Sequence, residues 1–299
     1  EQFLASEADI AIFGGQAGGG KSYGLLLEAT RHIDIPTFQA VIFRREFTEI
    51  AAAGGLWDTA REIYPWIGGR PIEGRYLYRF PSGAKIAFAH MQHEDDRLKW
   101  QGSQIPMIGF DELTTFTWRQ FSFMLSRNRS TCGVPPYIRA TCNPDPDHFL
   151  RQLISWWIDD ETGLAIKERS GVIRYFINRD DELHWADTPE ELTAKFKDAI
   201  PKSLTFINST VFDNRILMRE NPEYLANLQA LPKIDRERLL HGNWNARATA
   251  GMYFQRHWFE VVDAAPAGGQ EVRYWDRAAT DAASKNAAQS SWTAGVRMR

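Results

Sequence analysis

A glycine-rich segment near the start of the chain restricts the possible folds more than any other feature of the sequence. Residues 14–22 read GGQAGGGKS and follow the apolar run 10–13, which predicts a short buried strand; residues 23–31 favour a helix. A strand, a glycine loop and a helix in this order are the context of the phosphate-binding pattern G-x-x-x-x-G-K-[ST]. Its four fixed positions are occupied by Gly15, Gly20, Lys21 and Ser22. The sequence therefore predicts an α/β fold that binds the phosphates of a nucleotide.

The residue types in this loop suit that chemistry. Glycines let backbone N–H groups fold around an anion, and the helix N-terminus adds its positive end. Lys21 can reach the β- and γ-phosphates, and the Ser22 hydroxyl can bind Mg²⁺. We expect ATP and Mg²⁺ as cofactors, although a glycine loop without a ligand is the alternative. The predicted nucleotide-binding residues of the loop are Gly15, Gln16, Ala17, Gly18, Gly19, Gly20, Lys21 and Ser22.

Composition sets broad limits on the function. A chain of 299 residues can form one large or two modest domains. The net charge of −3 excludes a strongly basic nucleic-acid coat but leaves room for a local basic strip. No apolar run has the length of a membrane helix, so we expect no membrane partner. Cys132 and Cys142 are the only cysteines, which favours a reducing cytoplasm.

Alternating strand-like and helical runs predict a layered α/β domain in the first half of the chain. Strands are expected at 39–44, 105–110 and 137–141, and residues 76–91 read as a hairpin with its turn at 81–83. From about residue 150 helical runs dominate, at 148–157, 189–199, 222–230 and 233–240, around strand-like runs at 172–177 and 204–208. The predicted domains are an ATPase core at 1–178, a lid at 179–245, a linker at 246–270 and a final piece at 271–299.

Two neighbouring carboxylates end the strand at 105–110. Asp111 would hold the Mg²⁺ shell, and Glu112 would orient or deprotonate the attacking water. An Asp-Glu pair after an apolar run is also common at ordinary strand ends. Its place after the glycine loop suits a second strand of the same sheet, so the two motifs together predict ATP hydrolysis.

A polar residue also ends the following strand. Asn143 comes after Thr141 and Cys142, where side chains at the carboxyl end of a strand face the ligand crevice of an open sheet. Asn143 could therefore sense the γ-phosphate or position water. The sequence Asn-Pro-Asp-Pro is equally typical of a turn, so a purely structural role stays open.

Taken together, these motifs resemble the large terminase subunit of tailed bacteriophages. The similarity includes GGQAGGGKS, IGFDE, ATCNP, Arg44-Arg45 after the second strand, and the later segments FDN, LLHGNW and GMYF. The run 274–280, YWDRAAT, resembles the first strand of that family's RNase H-like nuclease. The resemblance extends over nearly the whole chain.

The resemblance implies a three-layer P-loop NTPase of the ASCE (RecA-like) class, with a mainly parallel sheet, a small helical lid and the start of a truncated nuclease. It implies a motor that hydrolyses ATP to drive double-stranded viral DNA into a procapsid. Expected partners are that DNA, the portal protein and the small terminase subunit, with a homo-oligomeric ring when assembled. The expected location is the host cytoplasm. Lys21, Glu112 and Asn143 would be catalytic or coupling residues, and Gln2 could recognise adenine or be merely solvated.

The arginines depart from the family pattern. Gln16 and Ala17 stand where many terminases carry an arginine in the loop. Gln101 stands near the place of a second arginine that reaches into the neighbouring subunit, with Arg97 just upstream. Arg97 is therefore the candidate trans-acting cation, although a solvated helix explains its position equally well. The competing candidates are Arg44, Arg127 and Arg129.

The nuclease part also departs from the pattern. Asp276 is a candidate metal ligand at a strand end and Asp281 a weaker one, whereas Ser290 and Ser291 stand where the family often has an aspartate before Trp-Thr. Because two-metal cleavage needs several converging carboxylates, we expect an incomplete site that does not cut DNA. Endonuclease activity is expected only of a full-length protein.

Three other functions compete with the packaging motor. An ATP-assisted endonuclease would need the missing carboxylates. A helicase or recombination ATPase would share the phosphate loop and the Asp-Glu pair, but not the segment 180–245 or the strand that ends at Asp276. A nucleotide-binding module without turnover would lack Lys21 or Glu112, and both are present.

Overall fold

The computed structural model describes residues 1–180, 182–247, 272–276 and 294–298. The chain divides into a unit of residues Glu1–Arg247 and a second unit of residues Ala248–Arg299. In the second unit, β11 (Val272–Asp276) pairs antiparallel with β12 (Ala294–Met298). No helix in the described part of the chain is long and apolar enough to cross a membrane.

A ten-stranded mixed sheet organises the first unit. Its centre is parallel, in the order β5 (Lys85–His90), β2 (Gln39–Arg44), β6 (Met107–Phe110), β7 (Tyr137–Cys142), β1 (Ile10–Gly15) and β10 (Lys202–Ser209). These strands are largely buried, as expected when helices cover both faces of a parallel sheet. Their carboxyl ends consequently lie along one edge.

Antiparallel strands extend the sheet on both sides. On one side β4 (Leu77–Arg79) pairs with β5, and β3 (Arg70–Ile72) pairs with β4. On the other side β8 (Ile173–Arg179) pairs with β10 and β9 (Glu182–Ala186) with β8. The hairpin predicted at 76–91 is confirmed, whereas β9 was not anticipated from the sequence.

Helices pack on both faces of the sheet. One apolar core joins α1 (Lys21–Glu28) and α3 (Leu56–Ile63) to the face that carries Ala11 and Ile42. The other joins α4 (Trp118–Leu125) and α5 (Phe149–Leu153) to the face that carries Ile10 and Phe43. The fold is therefore the predicted α/β arrangement of three layers. The helices are α1 (Lys21–Glu28), α2 (Phe47–Ala51), α3 (Leu56–Ile63), α4 (Trp118–Leu125), α5 (Phe149–Leu153), α6 (Pro189–Lys195), α7 (Arg215–Glu220), α8 (Tyr224–Gln229) and α9 (Lys233–Leu239).

The sheet continues beyond residue 178, where the sequence placed the end of the core. β10 pairs in parallel with β1, with Ile10 opposite Leu204 and Gly15 opposite Ser209. The apolar residues of β10 complete the buried centre of the sheet, so this part of the segment assigned to the lid belongs to the sheet. The remaining division of the chain into core and lid stays a prediction.

Candidate nucleotide-binding site

Three neighbouring parallel strands bring the sequence motifs together. β6, β7 and β1 follow one another in the sheet, and all three run in the same direction. The glycine loop leaves β1, Asp111 follows β6 and Asn143 follows β7. Loops at the carboxyl ends of such strands form the ligand crevice of open α/β sheets.

The loop conformation depends on its glycines. Gly15, Gly18 and Gly20 have φ values of 126°, 77° and 75°, a region that side chains disfavour. A Cβ atom at Gly19 would come within 1.8 Å of the buried Ser209 hydroxyl. Glycine is therefore favoured where the backbone takes this curve, and Gly19 has no room for a side chain where the loop approaches β10.

Lys21, the first residue of α1, is buried at the centre of the crevice. Its Nζ donates to Asn143 Oδ1 at 2.9 Å and to the Gln16 carbonyl oxygen. Burial lowers the pKa of Lys21 to about 8, against the opposing effect of Cys142, Asp111 and Glu112. The ammonium is thus held by neutral oxygens that phosphate oxygens could replace.

The lowered pKa of Lys21 predicts that nucleotide binding depends on pH. Phosphate anions favour the ammonium form, so binding should raise the pKa of Lys21 above about 8. A proton should therefore be taken up on binding above this pH, and ATP affinity should fall as the pH rises through it. Calorimetric titrations at about pH 9 in buffers of different ionisation enthalpy measure this uptake. Constant affinity across this range, or equal uptake by Lys21→Ala, would contradict the assignment.

Ser22 and Asp111 present oxygens to one point of the crevice. The Ser22 hydroxyl donates to Asp111 Oδ1 at 2.9 Å, and the Thr141 hydroxyl donates to the same oxygen at 2.5 Å. Asp111 is fully buried. A hydroxyl and a carboxylate are the hard oxygen ligands that Mg²⁺ uses when water and phosphate complete its shell. The residues present therefore fit a magnesium ion.

Glu112 is held beside this pair in an uncommon backbone conformation. Its φ of 57° lies in the left-handed region, and its N–H donates to the Thr141 hydroxyl at 3.0 Å. Burial raises the pKa of Glu112, with Arg44 opposing this shift and Asp111 adding to it. A raised pKa makes a carboxylate a stronger base, as a residue that deprotonates water requires.

Arg44 connects the two carboxylates from the end of β2. Its Nη1 lies 2.8 Å from Glu112 Oε2 and its Nε 2.7 Å from Asp111 Oδ2, although the latter contact lacks the alignment of a hydrogen bond. β2 is next to β6 in the sheet, which places the guanidinium against the Asp-Glu pair of its own chain. Arg44 was one of four arginines that the sequence could not rank.

Residues of the predicted lid complete the crevice. Asn214 Nδ2 donates to the Gly18 carbonyl oxygen at 2.9 Å, and Leu217 and Tyr224 also line the cavity. The cavity has a volume of about 420 Å³ and includes Gly18–Ser22, Glu112, Thr141 and Asn143. Sequence analysis assigned Asn214, Leu217 and Tyr224 no role at the site, although FDN (212–214) is part of the family resemblance. Nothing in their local pattern shows that they contact a loop nearly 200 residues earlier.

Other predicted site residues lie away from this cavity. Arg97 contacts Glu94 and Asp95 of its own 3₁₀ helix, with an Nη1–Oδ1 distance of 3.0 Å to Asp95. The Gln2 amide donates to the Ser170 carbonyl oxygen at 3.1 Å. Arg127 lies over the Phe123 ring, and Arg129 donates to the carbonyl oxygens of Gly102 and Ser103.

The nuclease candidates are only partly within the described residues. Asp276 is the last residue of β11, as the sequence predicted for the strand, and Asp281 lies outside the described residues. The incomplete nuclease site therefore stays a prediction.

Comparison with known proteins identifies the family. The model of the N-terminal part of the large terminase subunit, T4-like virus type, matches residues 12–261. The chain belongs to this large terminase family. No curated protein sequence is significantly similar to it.

Solved terminase structures share the fold. The large terminase of a thermophilic bacteriophage superposes with a TM-score of 0.52 at 14% identity, over 81% of this chain and 51% of that one. A variant ATPase domain of the Thermus phage P74-26 large terminase gives a TM-score of 0.50 at 11% identity, over 82% of this chain and 93% of that one. This chain thus spans about half the length of the first terminase and nearly all of the second domain. At these identities the similarity establishes the fold, that of a terminase ATPase domain of the P-loop ASCE class.

Proposed function

We propose that this terminase chain is the ATP-hydrolysing motor subunit that drives double-stranded viral DNA into the procapsid. The proposal rests on one observation: the phosphate loop, Glu112 and Asn143 line one cavity, and the buried Asp111 accepts a hydrogen bond from Ser22 of that loop. This is the set of groups that phosphoryl transfer to water requires. Because the chain belongs to the large terminase family, we propose that ATP hydrolysis is coupled to DNA packaging.

Each side chain has a distinct task in hydrolysis. Lys21 and the loop N–H groups after Ala17 would bind phosphate oxygens, because the N–H groups of Gln16 and Ala17 already donate to carbonyl oxygens. Lys21 would exchange its present oxygens of Gln16 and Asn143 for those of the nucleotide. Ser22 and Asp111 would hold Mg²⁺, and the bound ion would neutralise phosphate charge. Glu112 orients the attacking water and accepts its proton, while Arg44 fixes the two carboxylates relative to each other.

Asn143 is suited to couple the phosphate site to the rest of the domain. Its Oδ1 accepts from Lys21 at 2.9 Å, so binding of phosphate by Lys21 would release it. The chain after Asn143 leads to His148, whose ring contacts the Phe116 carbonyl oxygen behind the Asp-Glu pair. We infer that Asn143 changes its hydrogen bonding when Lys21 binds phosphate, and that this change is transmitted along the chain to His148 and Phe116.

The assembled function needs partners beyond this chain. The proposal includes a homo-oligomeric ring on the portal protein, a small terminase subunit and a location in the host cytoplasm. Cleavage of DNA is proposed for a nuclease domain with a complete metal site, in which Asp276 would be one metal ligand. Gln2 stays the sequence-based alternative for an adenine contact.

Isolated subunits should hydrolyse ATP slowly, because a trans-acting arginine contributes roughly 10³–10⁵-fold to such rates. Arg44 already contacts Asp111 and Glu112 of its own chain. The remaining candidates for that role are Arg97, Arg127 and Arg129, of which the sequence places Arg97 nearest the family position. Mixing Arg97→Ala chains with Glu112→Gln chains should therefore restore part of the activity, since some interfaces combine an intact Glu112 with a neighbour's Arg97. Phosphate release at concentrations that permit assembly measures the recovery.

The matched control mixes Arg44→Ala chains with Glu112→Gln chains. No chain in that mixture carries both Arg44 and Glu112, so activity should stay low. Recovery with the Arg44 variant, or none with the Arg97 variant, would show that the roles are assigned to the wrong arginines. A rate per chain that stays constant on dilution to monomers would exclude a trans-acting residue altogether.

A further inference from the structure

The cavity over the phosphate loop has one apolar wall, which the proposed chemistry does not use. Leu217 of α7 and Tyr224, the first residue of α8, both line it. A Cβ atom at Gly18 would lie 2.6 Å from Tyr224 Cε1 and 3.0 Å from Leu217 Cδ2. Both side chains are half-buried and rest directly on the loop. We call this pair the lid wall.

Hydrogen bonds fix the lid wall to the loop. The N–H groups of Gln16 and Ala17 donate to the carbonyl oxygens of Ser209 and Leu239, each at 2.8 Å. The Gln16 side chain accepts from Val211 N at 3.0 Å, in addition to the contact of Asn214 with Gly18. The segment that carries the wall is therefore attached to the loop at both ends, before α7 and after α8.

A nucleotide makes two different demands on a site. Its phosphates need N–H groups and cations, which the loop and Lys21 supply, whereas the flat faces of its base need apolar or aromatic contact. Within the described part of the cavity, the lid wall offers that contact next to the phosphate loop. A volume of about 420 Å³ is within the range of small-ligand sites.

We propose that the nucleoside of the bound nucleotide packs against Tyr224 and Leu217 of the lid wall. This inference rests on the proposed binding of nucleotide phosphates by the loop. It makes Tyr224 the main affinity determinant for the base and ribose. Because the segment that carries the lid wall contacts both the loop and the nucleoside, its position would depend on whether a nucleotide is bound.

Two other residues compete for the nucleoside. Gln2 donates its amide to the Ser170 carbonyl oxygen and does not line this cavity. Tyr23 lines it, but its side chain is 49% exposed at the start of α1. Tyr224 differs from both because it rests on the loop and has a second apolar residue beside it.

Calorimetric titration with ADP and with inorganic pyrophosphate, both in Mg²⁺, separates nucleoside contacts from phosphate contacts. Tyr224→Ala should weaken ADP binding about tenfold, because the stacking of the base on the aromatic ring is lost. Pyrophosphate binding should stay unchanged, and Tyr224→Phe should bind ADP like the wild type. Tyr23→Ala and Gln2→Ala should each have a smaller effect on ADP than Tyr224→Ala.

The remaining outcomes distinguish the inference from the proposed function. Equal losses of ADP and pyrophosphate affinity in Tyr224→Ala would mean that Tyr224 only shapes the loop, which overturns the inference. A larger, ADP-specific loss in Tyr23→Ala or Gln2→Ala would place the nucleoside elsewhere and also overturn it. Lys21→Ala should weaken both ligands; if it weakens neither, the proposed function itself fails.

Discussion

Replacing Lys21 by alanine should abolish ATP turnover. The ammonium lies at the centre of the crevice, 2.9 Å from Asn143 Oδ1, and no other described residue that lines the cavity is a lysine or an arginine. Removing one preorganised contact to developing charge costs roughly 10²–10³-fold in rate, and Lys21 also contributes to binding. Phosphate release at saturating ATP and Mg²⁺ measures the effect.

The matched control is Lys195→Ala, which removes an exposed lysine from the last turn of α6. It should hydrolyse ATP at the wild-type rate. The thermal midpoint of Lys21→Ala should stay near that of the wild type, because the substitution removes a buried charge instead of a core side chain. An unchanged rate in Lys21→Ala would exclude this loop as the catalytic phosphate site.

Replacing Glu112 by glutamine should separate binding from hydrolysis. The amide keeps the shape of the side chain but cannot accept the proton of the attacking water. ATP affinity should stay within a few-fold of the wild type, while turnover should fall by roughly 10²–10⁴-fold, the usual contribution of a general base. Equilibrium binding and single-turnover hydrolysis of ATP measure the two quantities.

Glu190→Gln provides the control for the loss of a carboxylate, since Glu190 is an exposed residue in the first turn of α6. It should change neither quantity. Hydrolysis by Glu112→Gln at the wild-type rate would transfer the role of the base to another residue. A large loss of affinity would instead give Glu112 a part in binding.

The local part of the site could be predicted from the sequence because its signals are local. The order of glycines, Lys21 and Ser22 needs only a strand before and a helix after it, and both are present as β1 and α1. Asp111 and Asn143 follow apolar strands in the same way. The family resemblance and the P-loop fold class were confirmed by the match to residues 12–261 and by the shared fold.

The order of strands in the sheet could not be read from the chain. Arg44 contacts Asp111 and Glu112 only because β2 lies beside β6, although more than 60 residues separate them in sequence. Asn214 and Tyr224 likewise reach the loop through the pairing of β10 with β1. Such contacts depend on tertiary packing, which local propensity and spacing do not specify.

Short or half-buried elements account for the other differences between the predicted and the observed secondary structure. β9 has only one buried residue, Ala186. The six-residue α7 begins at Arg215, after the cap residue Asn214, whose side-chain Oδ1 accepts from Leu217 N at 3.1 Å. Neither element has the long apolar periodicity that makes a prediction from sequence possible.

The most direct test of the packaging-motor assignment is the ATPase rate of this chain alone and with empty procapsids that carry the portal protein. A packaging ATPase should be slow alone and strongly stimulated by the procapsid, and Glu112→Gln should remove the stimulated rate. Procapsids without the portal are the control and should have no effect. If DNA alone gives full stimulation and portal-bearing procapsids add nothing, the chain is a DNA-dependent ATPase of the helicase kind and not a packaging motor.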